Sequence, residues 1–290
     1  MDTAIRIETK YFVKLLSSPQ SRNMIRTLFI NKQAAEKGEQ RPKDVPPSTL
    51  KKVGVLGAGM MGAGIAYVTA KGGMDVVLLD RDLEYAKKGK GYSEKIVEKG
   101  VSRGKVTKDK GEALLARITP TTDYNDLKDV DLIIEAVFED PEVKADVIKK
   151  TEAVIGKDII FASNTSTLPI SGLAKNSERP DQFIGIHFFS PVDKMPLVEI
   201  IPGDKSGDRS LATALDYVRM IRKTPIVVKD TRGFYTNRVV PPYLGEAMIM
   251  VQEGIKPALI ENAAKTLGMP VGPLALTDET SLSLGHMLMT

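Results

Sequence analysis

The sequence of 290 residues contains no cysteine and no tryptophan, and its only histidines are His187 and His286. Without cysteine there is no disulfide framework, no thiolate metal site and no cysteine nucleophile, which fits a reducing compartment. Aromatic residues make up 6% of the chain, which disfavours a surface built to stack nucleic-acid bases. We assign no role to His286, so any histidine chemistry depends on His187.

Long apolar runs are also missing. The sequence has no apolar stretch of about 18 residues or more, so no membrane span is predicted. The first residues lack the basic-then-apolar order of a secretory signal. Lysines and arginines, which give a net charge of +4, are interspersed with acidic residues, so nucleic acid is not an expected partner. The composition predicts a soluble, intracellular, globular protein with one large domain or two.

From residue 51 onward, apolar runs alternate with helical patterns. The predicted strands are KKVGVLG, DVVLLD, VDLIIEAV, KDIIFASN, FIGIHFF, LVEII and TPIVVKD. Continuous apolar runs are typical of parallel strands buried on both faces. The alternation therefore predicts an α/β fold with a Rossmann-type doubly wound, mostly parallel sheet. After Asp230 the strand signals stop, and we expect helices followed by a loop at MPVGPLALTDE, residues 269–279.

The first 50 residues differ from this pattern. SSPQSRNMIRTLFINKQAAEK predicts a helix that starts at a Ser-Pro signal. GEQRPKDVPPS predicts a polar, proline-rich linker that is neither helix nor strand. A short helix cannot bury a core of its own. We therefore expect it to pack on the domain behind it, or to have belonged to something in front of it.

Three glycines follow the first predicted strand with the spacing GxGxxG. Gly57 permits a tight turn, Gly59 lets the backbone approach a pyrophosphate, and Gly62 lets the helix pack closely on the strand. Asp80 ends the next strand, where a carboxylate binds ribose hydroxyls and repels a 2′-phosphate. The pattern predicts an NAD site. Two alternatives stay open: Arg81 binding a 2′-phosphate, and a turn of this type without any cofactor.

Polar residues cluster after several other predicted strands. Ligands of doubly wound sheets bind at the carboxyl ends of the strands. The residues at these ends are Phe138, Glu139, Asp140, Lys144, Ser163, Asn164, Thr165, Ser166, His187 and Ser190. Helix capping also accounts for Asp140 and for the SNTS cluster. The convergence of these residues on one edge predicts a binding site there.

One of these residues, His187, lies in the stretch GIHFFSPVDKMPLVEI, residues 185–200. If the two apolar runs form an antiparallel hairpin centred on Asp193, His187 lies opposite Glu199. Directly opposed residues have Cβ atoms roughly 5 Å apart. The spacing thus permits a His–Glu pair. The residues alone favour a buried pair in which the two side chains only satisfy each other's hydrogen-bonding groups. A catalytic pair is the alternative.

Several motifs together resemble the L-3-hydroxyacyl-CoA dehydrogenase family over about residues 51–290. The motifs are GVLGAGMMGAGIA, IIEAVFED, FASNTSTLPI, GIHFFSPVDKMPLVEI, KDTRGFYTNRVVPPYLGEA and GMPVGP. HFFSP in place of HFFNP, together with the preceding ETKYFVKLLSSPQSRNMIRTLFINKQ, is similar to multifunctional fatty-acid-oxidation proteins. In those proteins an enoyl-CoA hydratase domain precedes the dehydrogenase.

The resemblance implies a role for each matching residue. His187 matches the family's catalytic base and Glu199 its carboxylate partner. Ser166 and Asn237 match the residues that hydrogen-bond the reacting oxygen. The implied cofactor-binding residues are Gly57, Gly59, Met61, Gly62, Asp80, Glu139, Lys144 and Asn164. Residues 87–105 lie where the family meets the CoA phosphates, with a solvated helix face as the alternative, and no metal site is expected.

The implied reaction is the NAD-dependent oxidation of an L-3-hydroxyacyl-CoA to a 3-ketoacyl-CoA in fatty-acid β-oxidation. The implied partners are the acyl-CoA substrate and either a second copy, as a homodimer, or a thiolase subunit in a fatty-acid-oxidation complex. The expected location is the cytoplasm, or mitochondria or peroxisomes in a eukaryote. The expected division is a helix and linker over 1–50, an NAD-binding domain over 51–229, and the start of a helical substrate and dimerisation domain over 230–290.

Members of the family continue past the position of Thr290, so we expect an excised portion of a multifunctional enzyme. Two functions stay open at this point. One is an active dehydrogenase, which the complete set of site residues favours. The other is a dinucleotide-binding fragment that is inactive in isolation and serves as a structural portion of a larger complex.

Overall fold

The structure, a computed structural model, describes residues 2–280; the last ten residues of the expected C-terminal segment, His286 among them, lie outside this range. The strands are β1 Lys52–Leu56, β2 Asp75–Leu79, β3 Ile118–Thr121, β4 Leu132–Glu135, β5 Ile160–Ser163, β6 Phe183–Phe188, β7 Leu197–Pro202 and β8 Thr224–Val227. The helices are α1 Asp2–Leu16, α2 Pro19–Met24, α3 Lys32–Lys37, α4 Met60–Lys71, α5 Leu83–Ser102, α6 Lys108–Ala116, α7 Pro141–Glu152, α8 Ile170–Leu173, α9 Asp208–Met220, α10 Thr236–Gln252, α11 Pro257–Thr266 and α12 Pro273–Thr280.

The strands form one eight-stranded sheet in the order β3-β2-β1-β4-β5-β6-β7-β8. Neighbouring strands are parallel except β6 and β7, which pair antiparallel. The order reverses between β1 and β4, which creates the switch point where doubly wound folds bind ligands. The predicted α/β fold with a mostly parallel sheet, followed by helices, is confirmed.

Apolar side chains on both faces of the central strands hold the helices against the sheet. Val53 and Val55 of β1 face one buried cluster, whereas Leu56 belongs to the cluster on the opposite face. Burial on both faces is the reason that these strands appear in the sequence as continuous apolar runs. The same burial fixes the positions of the loops that follow the strands.

Three parts of the structure differ from the sequence prediction: β3, α12 and the helix α1. The strand β3, with the sequence ITPT, was not predicted because it is short and contains Pro120. It lies at an edge of the sheet, where a proline removes no essential ladder hydrogen bond.

The predicted loop at residues 269–279 is wrong, because α12 occupies most of it. A proline begins this helix, and its fixed backbone angle suits a first helical turn. The carboxylate of Glu261, on α11, accepts hydrogen bonds from the backbone amides of Leu274 at 2.8 Å and Ala275 at 3.4 Å. The acceptor that caps the helix thus comes from a distant residue, which a local pattern does not reveal.

The N-terminal helices contact the sheet through α3, where the Glu36 carboxylate accepts a hydrogen bond of 3.3 Å from the Thr224 hydroxyl of β8. Ser18 caps α2 as the Ser-Pro signal predicts, and a π-helix over Ile25–Asn31 joins α2 to α3. Residues 2–16, for which no helix was predicted, also form one, and α1, α2 and α3 bury no residue. The linker that follows is irregular, as predicted. Its Arg41 is tied to Asp216 of α9 by hydrogen bonds of 2.8 and 2.9 Å.

Within the described residues, no helix combines the length and the apolarity that crossing a membrane requires.

The turn between β1 and α4 is packed as closely as its glycines allow. Gly57 has φ of 91°, in the left-handed region that disfavours side chains. A Cβ atom on Gly62 would lie 1.8 Å from the carbonyl oxygen of Gly57. The start of α4 therefore rests directly on the end of β1, which only a glycine at position 62 permits.

We expect Gly62→Ala to lower the free energy of unfolding by about 2–3 kcal/mol, because the added methyl group forces the helix away from the strand. Gly245→Ala is the matched control, since a Cβ at this position in α10 meets no atom within 4 Å. The control should raise the free energy of unfolding by about 0.5–1 kcal/mol. Urea unfolding of both variants measures the difference, and an unchanged stability in Gly62→Ala contradicts the packing described here.

Candidate active site

The loops that follow β1, β4, β5 and β6 meet at one edge of the sheet, because parallel strands end on the same side. The site residues predicted from the sequence lie on these loops, at the start of α4, after β2, within β6 and β7, on α7 and in the first turn of α10. Each buried carboxylate in this region is satisfied by protein donors, and the pattern of donors determines the shape of the site.

Asp80, at the end of β2, holds the glycine loop. One carboxylate oxygen accepts a hydrogen bond of 2.7 Å from the backbone amide of Ala58, and the other accepts one of 2.8 Å from the amide of Arg81. The guanidinium of Arg81 lies 5.5 Å from the ring centre of Tyr85. Arg81 is thus directed towards the α5 side of the loop.

A groove of about 550 Å³ runs between the glycine loop and α5. Its lining residues are Ala58, Gly59, Met60, Ala63, Asp80, Arg81, Tyr85, Lys88, Gly89, Tyr92 and Lys95. Of the basic segment 87–105, therefore, Lys88 and Lys95 reach the groove. Lys87 instead pairs with Glu84 on the exposed face of α5, at 3.1 Å.

The groove fits a dinucleotide. A Cβ built on Gly59 meets nothing within 4 Å, so the space in front of the loop is open to a ligand phosphate. The N-terminus of α4 points into this space, where its dipole and free amides favour an anion. Asp80 remains beside the groove, with its carboxylate available at the position expected for ribose hydroxyls. Met61, in contrast, packs against the core.

Glu139, after β4, organises the loop after β5. One carboxylate oxygen accepts hydrogen bonds from the Thr165 hydroxyl at 2.5 Å and from the Ser166 amide at 2.9 Å. Burial raises the pKa of Glu139, but the charge of Lys144 and the hydrogen bond from Thr165 outweigh it and bring the pKa below its ordinary value. The carboxylate is therefore ionised and keeps the loop that contains Ser166 in place.

Lys144, on α7, is almost completely buried, with an exposed fraction of 1%. Its ammonium group lies 2.8 Å from Glu135 and 3.1 Å from Glu139. A buried cation between two carboxylates satisfies all three charges. Lys144 therefore acts on the site through Glu139, and its ammonium group is not among the groups lining the groove.

His187 and Glu199 face each other across β6 and β7, as the hairpin arithmetic predicts. The Nδ1 atom of His187 lies 2.7 Å from Oε2 of Glu199, and the Glu199 side chain is fully buried. Burial raises the pKa of Glu199, but hydrogen bonds from His187 and from the Thr236 amide outweigh it and hold the pKa below its ordinary value. An ionised carboxylate accepts from Nδ1–H, so the histidine lone pair is at Nε2.

Two aromatic rings fix the plane of the imidazole. The ring of Phe189 lies 4.6 Å from the His187 ring, and that of Phe234 lies 5.8 Å from it, measured between centres. The two rings therefore restrict rotation of the imidazole.

The other predicted polar residues lie close by. Asn237, on α10, donates a hydrogen bond from Nδ2 to the backbone carbonyl of Ser166 at 2.8 Å. The Asn164 side-chain oxygen accepts from the Phe188 amide at 2.9 Å. Ser166 and Asn237 are thus neighbours, whereas Asn164 uses its side-chain oxygen to join the loop after β5 to the end of β6.

Sequence patterns did not identify three contributors to this region. Glu135 is an apolar-looking position within β4, yet its carboxylate receives Lys144 and the Ser163 hydroxyl. Thr236 bonds to Glu199 from α10. The Tyr92 hydroxyl donates to Asp193 at 2.7 Å and so links α5 to the turn of the β6–β7 hairpin. The polar residue types were visible, but their partners lie far along the chain.

Two family models match the chain. The 3-hydroxyacyl-CoA dehydrogenase NAD binding domain matches residues 52–231, and the C-terminal domain of the same enzymes matches residues 233–290. Among curated proteins, the fatty acid oxidation complex subunit alpha of Psychrobacter cryohalolentis is 39% identical over 285 residues, and that of Psychrobacter arcticus is 40% identical. The match covers 98% of this chain and 39% of each relative, so the chain spans about two fifths of their length.

Solved structures agree. The (S)-3-hydroxybutyryl-CoA dehydrogenase of Ralstonia eutropha has a TM-score of 0.80 and 37% identity, covering 83% of this chain and 86% of its own. The 3-hydroxybutyryl-CoA dehydrogenase of Escherichia coli K12 has a TM-score of 0.80 and 32% identity, covering 83% of this chain and 52% of its own. With its doubly wound sheet and its site at the carboxyl edge, the chain belongs to the 3-hydroxyacyl-CoA dehydrogenase family.

Proposed function

We propose that the protein oxidises an L-3-hydroxyacyl-CoA to the 3-ketoacyl-CoA with NAD, and that His187 acts as the general base paired with Glu199. The observation that carries this proposal is the 2.7 Å contact between Nδ1 of His187 and the buried carboxylate of Glu199. This pair lies at the same sheet edge as the glycine loop and the Ser166–Asn237 contact.

The geometry supports a different role for each nitrogen of the imidazole. Glu199 accepts from Nδ1–H, so Nε2 is free to take the proton of a substrate hydroxyl. As the ring becomes positively charged, the neighbouring carboxylate stabilises it, which is the role of the carboxylate in a catalytic triad. In the reverse reaction the same Nε2 returns the proton to a ketone oxygen.

Ser166 and Asn237 are proposed to hold the substrate oxygen. The 2.8 Å hydrogen bond from the Asn237 side chain to the Ser166 backbone carbonyl keeps the two residues beside each other. NAD, when bound in the groove beside Gly59 and Asp80, accepts the hydride that leaves the substrate carbon. Gly57 and Gly62 shape the glycine loop, and Met61 anchors the start of α4 to the core. The loops around the cofactor are held by Glu139, Lys144 and Asn164.

We further propose a CoA-binding surface, a division into domains, partner subunits and a cellular location. The CoA phosphates bind near Lys88 and Lys95, which line the α5 side of the groove. The chain divides into residues 1–50, 51–229 and 230–290, which the boundaries of the two matching models support. The names of the Psychrobacter relatives support a place in a fatty-acid-oxidation complex, with a second copy or a thiolase subunit as partner, in the bacterial cytoplasm.

The direct test mixes the chain with NAD and a short L-3-hydroxyacyl-CoA and follows the absorbance of NADH. Formation of NADH that requires both components supports the proposal. NAD binding without NADH formation instead supports a dinucleotide-binding fragment that is inactive by itself.

We expect His187→Gln to reduce kcat by about 10²- to 10⁴-fold, because the proton acceptor is lost. NAD affinity, measured by calorimetry, should stay the same because His187 lies outside the glycine-loop groove. A variant with normal turnover refutes the role of His187 as the base.

Glu199→Gln should also lower turnover, by up to about 10⁴-fold, because an amide does not fix the Nδ1–H tautomer or stabilise an imidazolium. The affinity for NAD should again be unchanged. Steady-state rates compared with those of His187→Gln test the pairing, which is wrong if Glu199→Gln is as fast as the unsubstituted protein.

Lys144→Met should lower the free energy of unfolding by about 3–5 kcal/mol, because it leaves Glu135 and Glu139 buried without their cation. In the folded protein Lys144 holds the pKa of Glu139 below its ordinary value, so this stabilisation is present near neutral pH and is lost as pH falls. Urea unfolding at several pH values should therefore show a smaller loss in acid. Lys149→Met, at an exposed position of the same helix, is the control and should change stability by less than about 0.5 kcal/mol.

A further inference from the structure

The Glu199 carboxylate has a second set of donors besides His187. Its other oxygen, Oε1, accepts hydrogen bonds from the amide of Tyr235 at 3.2 Å, the amide of Thr236 at 2.8 Å and the hydroxyl of Thr236 at 3.0 Å. All three donors belong to the start of α10, which has no capping side chain of its own. A carboxylate from β7 thus takes the place of the N-cap of this helix.

The chain reaches this position through a sharp turn. Gly233 and Phe234 both have positive φ angles, of 75° and 51°. A left-handed conformation is unfavourable for a bulky residue such as phenylalanine and persists only where the surroundings hold it. Phe234 is buried and packs against the His187 ring. The turn therefore places a ring beside the imidazole and, in the next two residues, donors on its carboxylate partner.

We propose that Thr236 is a positioning residue, whose hydroxyl and amide hold the Glu199 carboxylate in the orientation that receives Nδ1–H of His187. The docking of α10 against the sheet thereby completes the His–Glu pair. This inference rests on the proposed function, because it assigns a role relative to the proposed base.

Few other groups near Glu199 affect the protonation of its carboxylate. On β6 it faces His187, and on β8 its neighbour in register is the apolar residue Ile226. On α10 it meets the amides and the hydroxyl already described. Among the described residues, His187 is the titratable group whose charge acts on Glu199. The Thr236 hydroxyl is therefore the neutral side-chain donor that tunes this carboxylate.

The hydroxyl is the part of this arrangement that depends on the residue type. Every residue type except proline supplies a backbone amide at positions 235 and 236, but of the small side chains only threonine and serine also supply a hydroxyl donor at position 236. A donor on Oε1 draws negative charge away from Oε2, so it weakens the attraction of the carboxylate for an imidazolium. Without the hydroxyl, the His187–Glu199 pair should take up a proton at a higher pH.

The first test compares Thr236→Val, which keeps the shape and removes the hydroxyl, with Thr236→Ser, which keeps the hydroxyl. In Thr236→Val the kcat/KM at neutral pH should fall by about 3- to 10-fold, the loss of one hydrogen bond. The acidic limb of its pH profile should move to higher pH by about half a unit, and the KM for NAD should not change. Thr236→Ser should restore both values. An unmoved limb, or a change that serine does not rescue, overturns the proposal.

Thr266→Val is the matched control. The hydroxyl of this exposed threonine of α11 donates to the carbonyl of Asn262, at 2.8 Å, and its removal should leave the rates and the pH profile unchanged. If Thr236→Val does not fold, Thr236→Ala removes the same hydroxyl without the branched side chain and is compared with serine in the same way.

A second test does not require activity. Because Glu199 has a lowered pKa in the folded protein, its contribution to stability is present above its unfolded pKa and is lost as pH falls through the folded value. Thr236→Val should bring the folded pKa closer to the ordinary value. Its shift in urea midpoint relative to the unsubstituted chain should therefore be larger at pH near 7 than at pH near 4.

Thr266→Val and Thr236→Ser should show no such dependence on pH. An equal shift at both pH values in Thr236→Val overturns the role of the hydroxyl. If the unsubstituted chain forms no NADH, the proposed function fails while the unfolding comparison still decides whether Thr236 controls Glu199.

Discussion

A carboxylate that has no contact with water must be satisfied entirely by protein donors, and Glu199 is satisfied from two directions. His187 approaches one oxygen from the neighbouring strand, and the first turn of α10 approaches the other. Neither set of donors alone covers the charge, and leaving a buried charge unpaired costs several kcal/mol. The position of the C-terminal helices and the orientation of the imidazole are therefore coupled through one side chain.

The same solution recurs elsewhere around the sheet. Asp80 accepts from the Ala58 amide, Glu139 from the Ser166 amide, and Asp230 from the amides of Ile170 and Ser171 at 2.7 Å each. Asp80 and Glu139 each fix a loop that has no regular hydrogen-bonding partner of its own, and Asp230 caps the first residues of α8. Loops held in this way present the site residues in one conformation before a ligand arrives, which reduces the cost of ordering them on binding.

The parts of the structure that follow from short-range patterns were predictable. The central strands were visible as apolar runs because they are buried on both faces, and the glycine spacing marked the loop after β1. The His187–Glu199 contact was predictable because a hairpin converts spacing along the chain into pairing across it. By contrast, α12 was predicted as a loop, since Glu261, the acceptor that caps it, belongs to another helix.

The contacts of Thr236 and Lys144 were not predicted, for a similar reason. Thr236 meets Glu199 because the left-handed conformations of Gly233 and Phe234 redirect the chain. A phenylalanine in a sequence gives no indication of a positive φ. The burial of Lys144 was likewise hidden, because a lysine in an amphipathic helix ordinarily faces water. Such contacts depend on where the elements pack, which the local pattern does not determine.

The antiparallel pairing of β6 with β7 also matters for how the chain reaches this arrangement. Among the described strands this is the antiparallel pair, and His187 and Glu199 are 12 residues apart. The parallel junction of β1 with β4 joins Lys52 to Asp131, which are 79 residues apart. Closing the shorter loop costs less chain entropy by about 1.5 kcal/mol. The histidine and its carboxylate therefore belong to the topologically most local part of the sheet, whereas the switch point between β1 and β4 depends on a much longer-range closure.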